Sequence, residues 1–252
     1  MAGHSKWANI KHRKSRVDAQ KAKIFGRIVK EITIAVKEGG NSDPDFNPAL
    51  RLALANAKGA NMPKDNIERA VKKAETSDEK LESLTYEGTG PEGIAIYVEC
   101  LSDNIQRTVS DVRHAFNKFN GNLGKNGSLS YLFDRKGIFT ITLPEEKDIE
   151  ELELELIDAG VEEIEEEDGK YYLSVEMTDF GNMQSKLEEL KIEAENAELR
   201  RIPKTEREVS PETAISNLKL IDFLEEIEDV QNVFHDIKMT DEIMQAFENE
   251  EN

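Results

Sequence analysis

Between Gly137 and Pro203 the apolar residues change period in a distinctive order. Alternating runs typical of strands are separated by stretches with helical spacing, and the order is β-α-β-β-α-β. The strand patterns are IFTITL, VEEIEE, YYLSVEM and AELRRI, and the helical patterns cover about 148–159 and 181–191. This order predicts a ferredoxin-like unit, in which the first and last strands lie side by side. Its two ends are then close together, so the unit can be inserted into another domain.

The segments on either side of this unit predict that other domain. Before it come two strand patterns, LTYEGTG and GIAIYVECL, a helix capped by Asp103 or Asn104, and another strand pattern, SLSYLFD. After it come a helix led by Pro211 and a strand around Val230–Met239, which are too small to bury a core of their own. We expect them to complete the sheet begun at residues 84–134, and the last dozen residues to fray.

Residues 17–74 carry three helical patterns that share an apolar side. Gly39 and Gly40 are expected to end the first helix. Asn47 and Pro48 are well suited to cap and begin the second, and the third follows MPKDN. The stripe of the first helix consists of Phe25, Ile28, Val29, Ile32, Ala35 and Val36.

The predicted fold class is therefore α+β. It combines an N-terminal three-helix domain, a middle α/β domain, and a ferredoxin-like βαββαβ domain inserted into the middle one. The expected boundaries are 1–80 for a basic arm plus the helical domain, 81–134 with 205–252 for the discontinuous middle domain, and 135–204 for the inserted acidic domain.

Charge is distributed very unevenly along the chain. Residues 1–37 hold ten Lys or Arg against two acids, a local charge of +8, whereas the whole chain has a net charge of -19. Residues 76–252 hold 17 basic and 44 acidic side chains, or -27. A basic end on an acidic body is suited to bind phosphate groups, so contact with nucleic acid is favoured over a merely solvated tail.

The candidate nucleic-acid-binding residues lie in two segments. Residues 4–16 have no apolar periodicity and are expected to form an arm that is weakly ordered when free, leading into the first helix. Trp7 in this arm is more typical of an anchor on the protein's own body than of a stacking platform. The connection KGANMPKDN is either a second phosphate contact or a solvated connector. The full set is Lys6, Trp7, Lys11, His12, Arg13, Lys14, Arg16, Lys21, Lys23, Arg27, Lys30, Lys58 and Lys64.

Other kinds of chemistry find little support in the residues. The single cysteine, Cys100, excludes an internal disulfide and a zinc cluster built on cysteines. The spacing of Gly88, Gly90 and Gly93 matches neither of the two phosphate-loop motifs, GxGxxG and GxxxxGK[ST], and it fits a hairpin turn. The acidic run at 162–168 and the four histidines show no ligand or catalytic spacing. We therefore expect no metal, no cofactor and no enzymatic activity.

The inserted domain is also a weak candidate for binding RNA, because the sheet face away from its helices offers only one aromatic residue, Tyr172. No apolar run approaches the roughly 18 residues that a membrane span needs, and no signal-peptide pattern is present. A cytoplasmic protein without membrane contact is expected, and a monomer is favoured.

Six stretches of the chain together match the pattern of one known family: AGHSKWANIKHRK, NMPKDNIERAVKKA, YEGTGPEGIAIYVECLSDN, RTVSDVRHAF, GNLGKNGSLSYLFDRKG and IPKTEREV. They resemble the YebC/PmpR family, which includes the mitochondrial translational activator of cytochrome c oxidase. The resemblance implies three domains and a non-enzymatic regulator of gene expression. Its members are usually labelled DNA-binding transcriptional regulators, and some act on translation at the ribosome. It implies no catalytic residues, and it places the nucleic-acid role only at the basic N-terminal positions.

Three functions stay open at this point. In the first, the arm and the first helix grip promoter DNA through phosphate contacts. In the second, they bind ribosomal RNA, which agrees better with the acidic body because duplex DNA would repel it. In the third, the protein is a scaffold that holds a basic partner. The residues favour a nucleic-acid-binding regulator of gene expression and do not distinguish DNA from RNA.

Overall fold

The computed structural model describes residues 17–77, 80–144, 147–167 and 169–250. The arm predicted at 4–16 lies outside them. The predicted α+β fold class is confirmed, with N-terminal helices and two antiparallel sheets. The described residues of Asp18–Asp78 and Arg135–Arg201 form one compact unit, and those of Glu79–Asp134 and Ile202–Asn252 form another. The finer domain boundaries given above stay a prediction.

The N-terminal domain consists of three helices that pack around a small apolar core. They are α1 (Val17–Gly39), α2 (Pro48–Gly59) and α3 (Lys64–Thr76). The stripe predicted for α1 faces this core: Ile28 and Ile32 are buried among Leu50, Ala57 and Ala70. The three helical patterns are thus confirmed, and the core is built from their shared apolar side.

One buried amide fixes the turn between the first two helices. The Asn47 Oδ1 atom accepts a hydrogen bond from the Leu50 backbone nitrogen at 3.0 Å and so caps α2. Its Nδ2 donates to the backbone oxygens of Ala35 and Asn41, both at 2.7 Å. Asn47 therefore joins the end of α1 to the start of α2, as well as serving as the predicted cap.

The inserted domain has the predicted ferredoxin-like order. Its sheet has the strand order β5 (Val161–Glu167), β6 (Lys170–Glu176), β4 (Phe133–Ile141) and β7 (Ala194–Pro203), with β4 antiparallel to β6 and β6 antiparallel to β5. Phe139 and Leu173 are register partners and belong to the core under the two helices. The elements are β4 (Phe133–Ile141), α5 (Ile149–Asp158), β5 (Val161–Glu167), β6 (Lys170–Glu176), α6 (Phe180–Glu189) and β7 (Ala194–Pro203).

The central part of the second face of this sheet is buried. Thr140, Tyr172 and Ser174 are each less than a tenth exposed. Tyr172 is therefore unavailable for stacking on a base, in agreement with the prediction that this domain is a weak RNA platform.

A side chain of α2 closes part of the sheet edge at β7. The Asn56 Nδ2 atom donates to the Ala197 oxygen at 3.0 Å, and the Ala197 nitrogen donates to Asn56 Oδ1 at 2.9 Å. The amide thus makes the pair of bonds that a neighbouring strand would make. A Cβ on Gly59 would lie 1.6 Å from the Glu195 oxygen, so this close approach requires glycine.

The middle domain combines elements from both sides of the insertion. Its antiparallel sheet has the strand order β3 (Asn122–Leu123), β1 (Glu82–Thr89), β2 (Ala95–Ser102) and β8 (Val230–His235). Strand β8 comes from the C-terminal segment, which confirms that the tail completes the sheet. The core lies between this sheet and the helices. The elements are β1 (Glu82–Thr89), β2 (Ala95–Ser102), α4 (Ile105–Lys118), β3 (Asn122–Leu123), α7 (Pro211–Glu225), β8 (Val230–His235) and α8 (Asp241–Glu250).

Two local predictions are wrong. The pattern SLSYLFD is not one strand, because Ser130–Leu132 forms a 3-10 turn and β4 begins only at Phe133. The backbone nitrogens of Leu129 and Ser130 donate to the Glu87 carboxylate, which prevents ladder pairing there. The last dozen residues also do not simply fray: Ile243 and Phe247 on α8 are buried in the core of the middle domain.

Candidate nucleic-acid interface

The residues predicted to bind nucleic acid divide into those that the structure describes and those that lie outside the described ranges. Six described residues lie on the three helices of the N-terminal domain: Lys21, Lys23, Arg27, Lys30, Lys58 and Lys64. The other seven lie outside the described residues, and their role stays a prediction: Lys6, Trp7, Lys11, His12, Arg13, Lys14 and Arg16.

The basic residues of α1 form a stripe. Lys23, Arg27 and Lys30 follow the spacing i, i+4 and i+7, so they lie on one side of the helix, opposite the stripe that enters the core. All three are half-buried, whereas Lys21 near the start of the helix is exposed. In Arg27 the buried part includes the guanidinium group, whose Nε and Nη2 atoms are inaccessible to solvent. This basic stripe, Lys23–Lys30, is the part of the predicted interface that the structure brings together.

The connection between α2 and α3 is shorter than predicted. Helix α2 runs through Lys58 to Gly59, and α3 begins at Lys64, so both lysines lie at helix ends. Asn61 turns the chain with a φ of 56°. Lys64 is 87% exposed and pairs with Glu68 at 3.6 Å. Lys58 and Lys64 therefore lie at the ends of α2 and α3, and they do not extend the basic stripe along α1.

Three exposed cations on the helices of the same domain lie outside the predicted set. Arg69, Lys72 and Lys73 are on α3 and are exposed. The adjacent pair Lys72 and Lys73 is visible in the sequence, but the apolar side of α3 alone is enough to predict the helix, so its charged side did not enter the prediction.

A carboxyl group beside the basic stripe has an altered affinity for protons. Loss of hydration around the carboxyl group and the charge of the nearby Glu198 raise the pKa of Glu31 from 4.5 to about 7. A hydrogen bond with Asn56 and the charge of Arg27 lower the pKa, but by less. The residue as a whole keeps contact with solvent, so its effect on stability is smaller than the shift alone suggests. Protonation of Glu31 would add to the positive charge of the stripe near neutral pH.

Replacing Glu31 with glutamine should change the pH dependence of thermal stability. Because the folded pKa is the higher one, the folded state keeps its proton as pH rises from 4.5 towards 7 while the unfolded state loses it. Wild-type stability from this group is therefore greatest below that range and is lost above it. The melting temperature of Glu31→Gln relative to wild type should rise between pH 5 and pH 8. Parallel melting curves across that range would contradict the raised pKa.

Neither a metal-binding cluster nor a membrane-spanning helix is found among the described residues. Within residues 17–77, 80–144, 147–167 and 169–250 no group of three His, Cys, Asp or Glu side chains is arranged to hold a metal ion. Among the helices in those ranges, none combines the length and the apolar character needed to cross a bilayer. Cys100 is a buried free thiol.

Comparison with known proteins places the chain in a family. A family model described as the TACO1/YebC protein N-terminal domain matches residues 5–77, and one described as the TACO1/YebC second and third domain matches residues 81–237. The chain belongs to the TACO1/YebC family. The resemblance to YebC proteins stated from the sequence is thereby confirmed.

Relatives within the TACO1/YebC family match over almost their whole length. A protein of Amoebophilus asiaticus is 53% identical over 94% of this chain and 98% of its own. One of Persephonella marina is 46% identical over 97% of this chain and 99% of its own. Both are named probable transcriptional regulatory proteins. The crystal structure of a conserved hypothetical protein from Aquifex aeolicus matches with a TM-score of 0.79 and 40% identity, over 92% of this chain and 96% of that one.

Proposed function

We propose that this TACO1/YebC protein is a nucleic-acid-binding regulator of gene expression that acts on promoter DNA. The observation that carries the proposal is the charge layout: +8 in residues 1–37 beside -27 in residues 76–252, with the described part of the positive charge aligned on α1. The names of the relatives, probable transcriptional regulatory proteins, support the same function.

The basic stripe would act mainly through phosphate groups. Lysine and arginine contacts to phosphate supply affinity and fix position but carry little sequence information. The other side of α1 packs into the core of its domain, so this helix is fixed relative to α2 and α3. The arm, with Lys11, Arg13, Lys14 and Arg16, would extend the same positive surface along the nucleic acid.

The proposal includes three further points. The protein acts by binding and not by catalysis, since the names of its relatives describe regulators. It works in the cytoplasm, where nucleic acid is accessible to it. A single copy of the chain is sufficient for binding.

Ribosomal RNA is a second candidate target. The observation that favours it is the charge of -27 over residues 76–252, because so acidic a body is repelled by a long duplex that runs past it. On a ribosome, the same acidic surface could face basic proteins. A translation factor would then use the same arm and stripe.

Binding of the purified full-length protein to labelled duplex DNA at several salt concentrations tests the proposal. We expect the logarithm of the binding constant to fall linearly with the logarithm of salt, with a slope of about -0.9 for each phosphate contacted. Six contacts would give a slope of roughly -5. A salt-independent binding constant, or no binding to either duplex DNA or a ribosomal RNA fragment at low salt, would contradict it.

A further inference from the structure

The loop before β4 carries an aromatic side chain that is mostly exposed to solvent. Tyr131, in the 3-10 turn Ser130–Leu132, is 66% exposed. The residues just before it, 124–128, are all exposed as well. Their sequence is GKNGS, which offers a lysine, an amide and a hydroxyl beside open backbone. We refer to Gly124–Leu132 as the Tyr131 loop.

A buried carboxylate holds this loop in place. Glu87 on β1 is only 2% exposed. It accepts hydrogen bonds from the Gly127 nitrogen at 2.7 Å, from the Ser130 nitrogen at 3.0 Å and from the Leu129 nitrogen. Burial of a charge is costly unless several donors compensate it, so these three bonds mark a loop with one fixed shape.

Further contacts fix both ends of the Tyr131 loop. The Gly124 nitrogen donates to the Glu87 backbone oxygen at 2.7 Å, and the Lys204 nitrogen donates to the Leu132 oxygen at 2.9 Å. Leu129 and Leu132 pack against a buried apolar cluster formed by Ala95, Tyr97, Phe133 and Phe234. The leucines on either side of Tyr131 are therefore held inward while the tyrosine ring stays outside. A ring displayed on a fixed loop loses little entropy when a partner binds it.

The charge around the Tyr131 loop differs from that of the rest of the body. Residues 112–133 contain no Asp or Glu, although acids make up 52 of the 252 residues of the chain. Lys125 is exposed, and among the described residues it has no carboxylate partner within ion-pair distance. The next acid along the chain, Asp134, is paired with Lys204 at 3.4 Å. Along the chain from residue 112 to 134 there is thus no unpaired carboxylate, and the buried Glu87 carboxylate that holds the loop is bonded to three backbone N–H groups.

From these observations we infer that the Tyr131 loop binds single-stranded nucleic acid by stacking one unpaired base on the Tyr131 ring. Every base has a flat face that can stack on an aromatic side chain, and Lys125 would contact the adjoining phosphate. Bases inside a duplex have both faces covered, so the loop selects single strands. This inference rests on the proposed function, because it adds a second contact to nucleic acid, at a place where the strand is unpaired.

The test uses the full-length protein and labelled single strands of about 12 nucleotides, as RNA and as DNA, with the matching duplex as comparison. Tyr131→Ala should weaken binding to single strands by about 5- to 100-fold and leave duplex binding unchanged. Tyr131→Trp, which keeps a stacking face, should bind single strands as well as wild type. A loss on either RNA or DNA supports the inference, and the strand with the larger loss identifies the preferred class.

Phe46 provides a matched control. It is 76% exposed on the loop between α1 and α2, but it follows Asp43 and Asp45, whose charges repel phosphate. Phe46→Ala should therefore leave single-strand binding unchanged. Melting curves of each variant check that it is folded, which the exposure of both rings leads us to expect.

Several outcomes would overturn the inference. These are wild-type affinity of Tyr131→Ala for single strands, an equal loss on single strands and duplex, or an equal loss with Phe46→Ala. Photocrosslinking to a single strand provides a second measurement: an adduct is expected within Lys125–Tyr131, and adducts found only elsewhere would also overturn it. If wild type binds no nucleic acid, the proposed function fails too, whereas binding that depends on the arm but not on Tyr131 removes only this inference.

Discussion

Replacing Asp229 with alanine should destabilise the middle domain by about 2–4 kcal/mol. Asp229 is only 3% exposed and lies just before β8. Its Oδ2 atom accepts hydrogen bonds from Thr108 Oγ1 at 2.8 Å, from Ser102 Oγ at 3.1 Å and from the Arg107 guanidinium. One carboxylate thus joins the end of β2, the first turn of α4 and the start of β8.

The expected loss is large because the partners of Asp229 are themselves buried. Ser102 and Thr108 are fully inaccessible to solvent. Thr108 Oγ1 can still donate to the Asn104 oxygen at 3.0 Å, but Ser102 Oγ loses its acceptor and water cannot replace it. Arg107 also loses the main group that raises its pKa. The side chain of Arg107 is 45% exposed, which lets water replace part of that interaction and keeps the estimate below that for a fully buried pair.

Asp103 offers a matched control for this experiment. Its Oδ1 lies 2.8 Å from the same Arg107 Nη2 atom, but its side chain is 49% exposed. Asp103→Ala should therefore cost no more than about 1 kcal/mol. Unfolding by urea, followed for both variants and for wild type, measures the two differences. Equal losses for Asp229→Ala and Asp103→Ala would contradict the importance of the buried network.

Reversal of four charges in the arm should weaken nucleic-acid binding strongly. In the variant with Lys11, Arg13, Lys14 and Arg16 all changed to Glu, up to four phosphate contacts are lost and four repulsive charges appear. We expect the salt slope to become shallower by about 3 to 4 and the affinity at low salt to fall by at least about 100-fold. Equilibrium binding to duplex DNA at several salt concentrations measures both quantities.

An equal change of total charge elsewhere separates a local contact from a general field effect. Four exposed cations outside the N-terminal domain are suitable for reversal to Glu: Arg113, Arg135, Lys191 and Lys219. This control should keep most of the affinity, because screening limits the reach of exposed charges to about 10 Å at ordinary salt. A similar loss in both variants would mean that net charge, and not the arm, determines binding.

Much of the fold could be predicted because local pattern and tertiary structure agree. The β-α-β-β-α-β order defines the inserted domain, and the closeness of its ends follows from that order. The C-terminal helix and strand are too small to bury a core by themselves, so the sequence predicts that the strand pairs with the sheet of the middle domain. Strand β8 does pair with β2. Asn47 and Asn104 accept the capping bonds that their positions indicated.

The wrong predictions have long-range causes. SLSYLFD alternates like a strand, but the carboxylate that reshapes it belongs to Glu87, about 40 residues earlier. The acidic end of the chain has the composition of a frayed tail, yet Ile243 and Phe247 find a core to enter. The hydrogen bonds between Asn56 and Ala197 join residues 141 positions apart, so no local sequence pattern predicts them.

The candidate interface was predictable in part. Helical periodicity alone places Lys23, Arg27 and Lys30 on one side of α1, and the structure agrees. The Tyr131 loop was not predictable as a site, because its exposure depends on how Glu87 and the neighbouring leucines hold it. The role of the arm stays a prediction from charge.

The measurement that tests the central claim most directly is ultraviolet crosslinking in growing cells, followed by sequencing of every DNA and RNA fragment attached to the protein. The arm variant with four reversed charges serves as the comparison. The account predicts fragments from a limited set of promoters with wild type and their loss with the variant. Fragments concentrated in ribosomal RNA and lost with the variant would assign the protein to translation instead. No enrichment of any nucleic acid, or the same enrichment with the variant, would contradict a regulator that works through its basic N-terminal end.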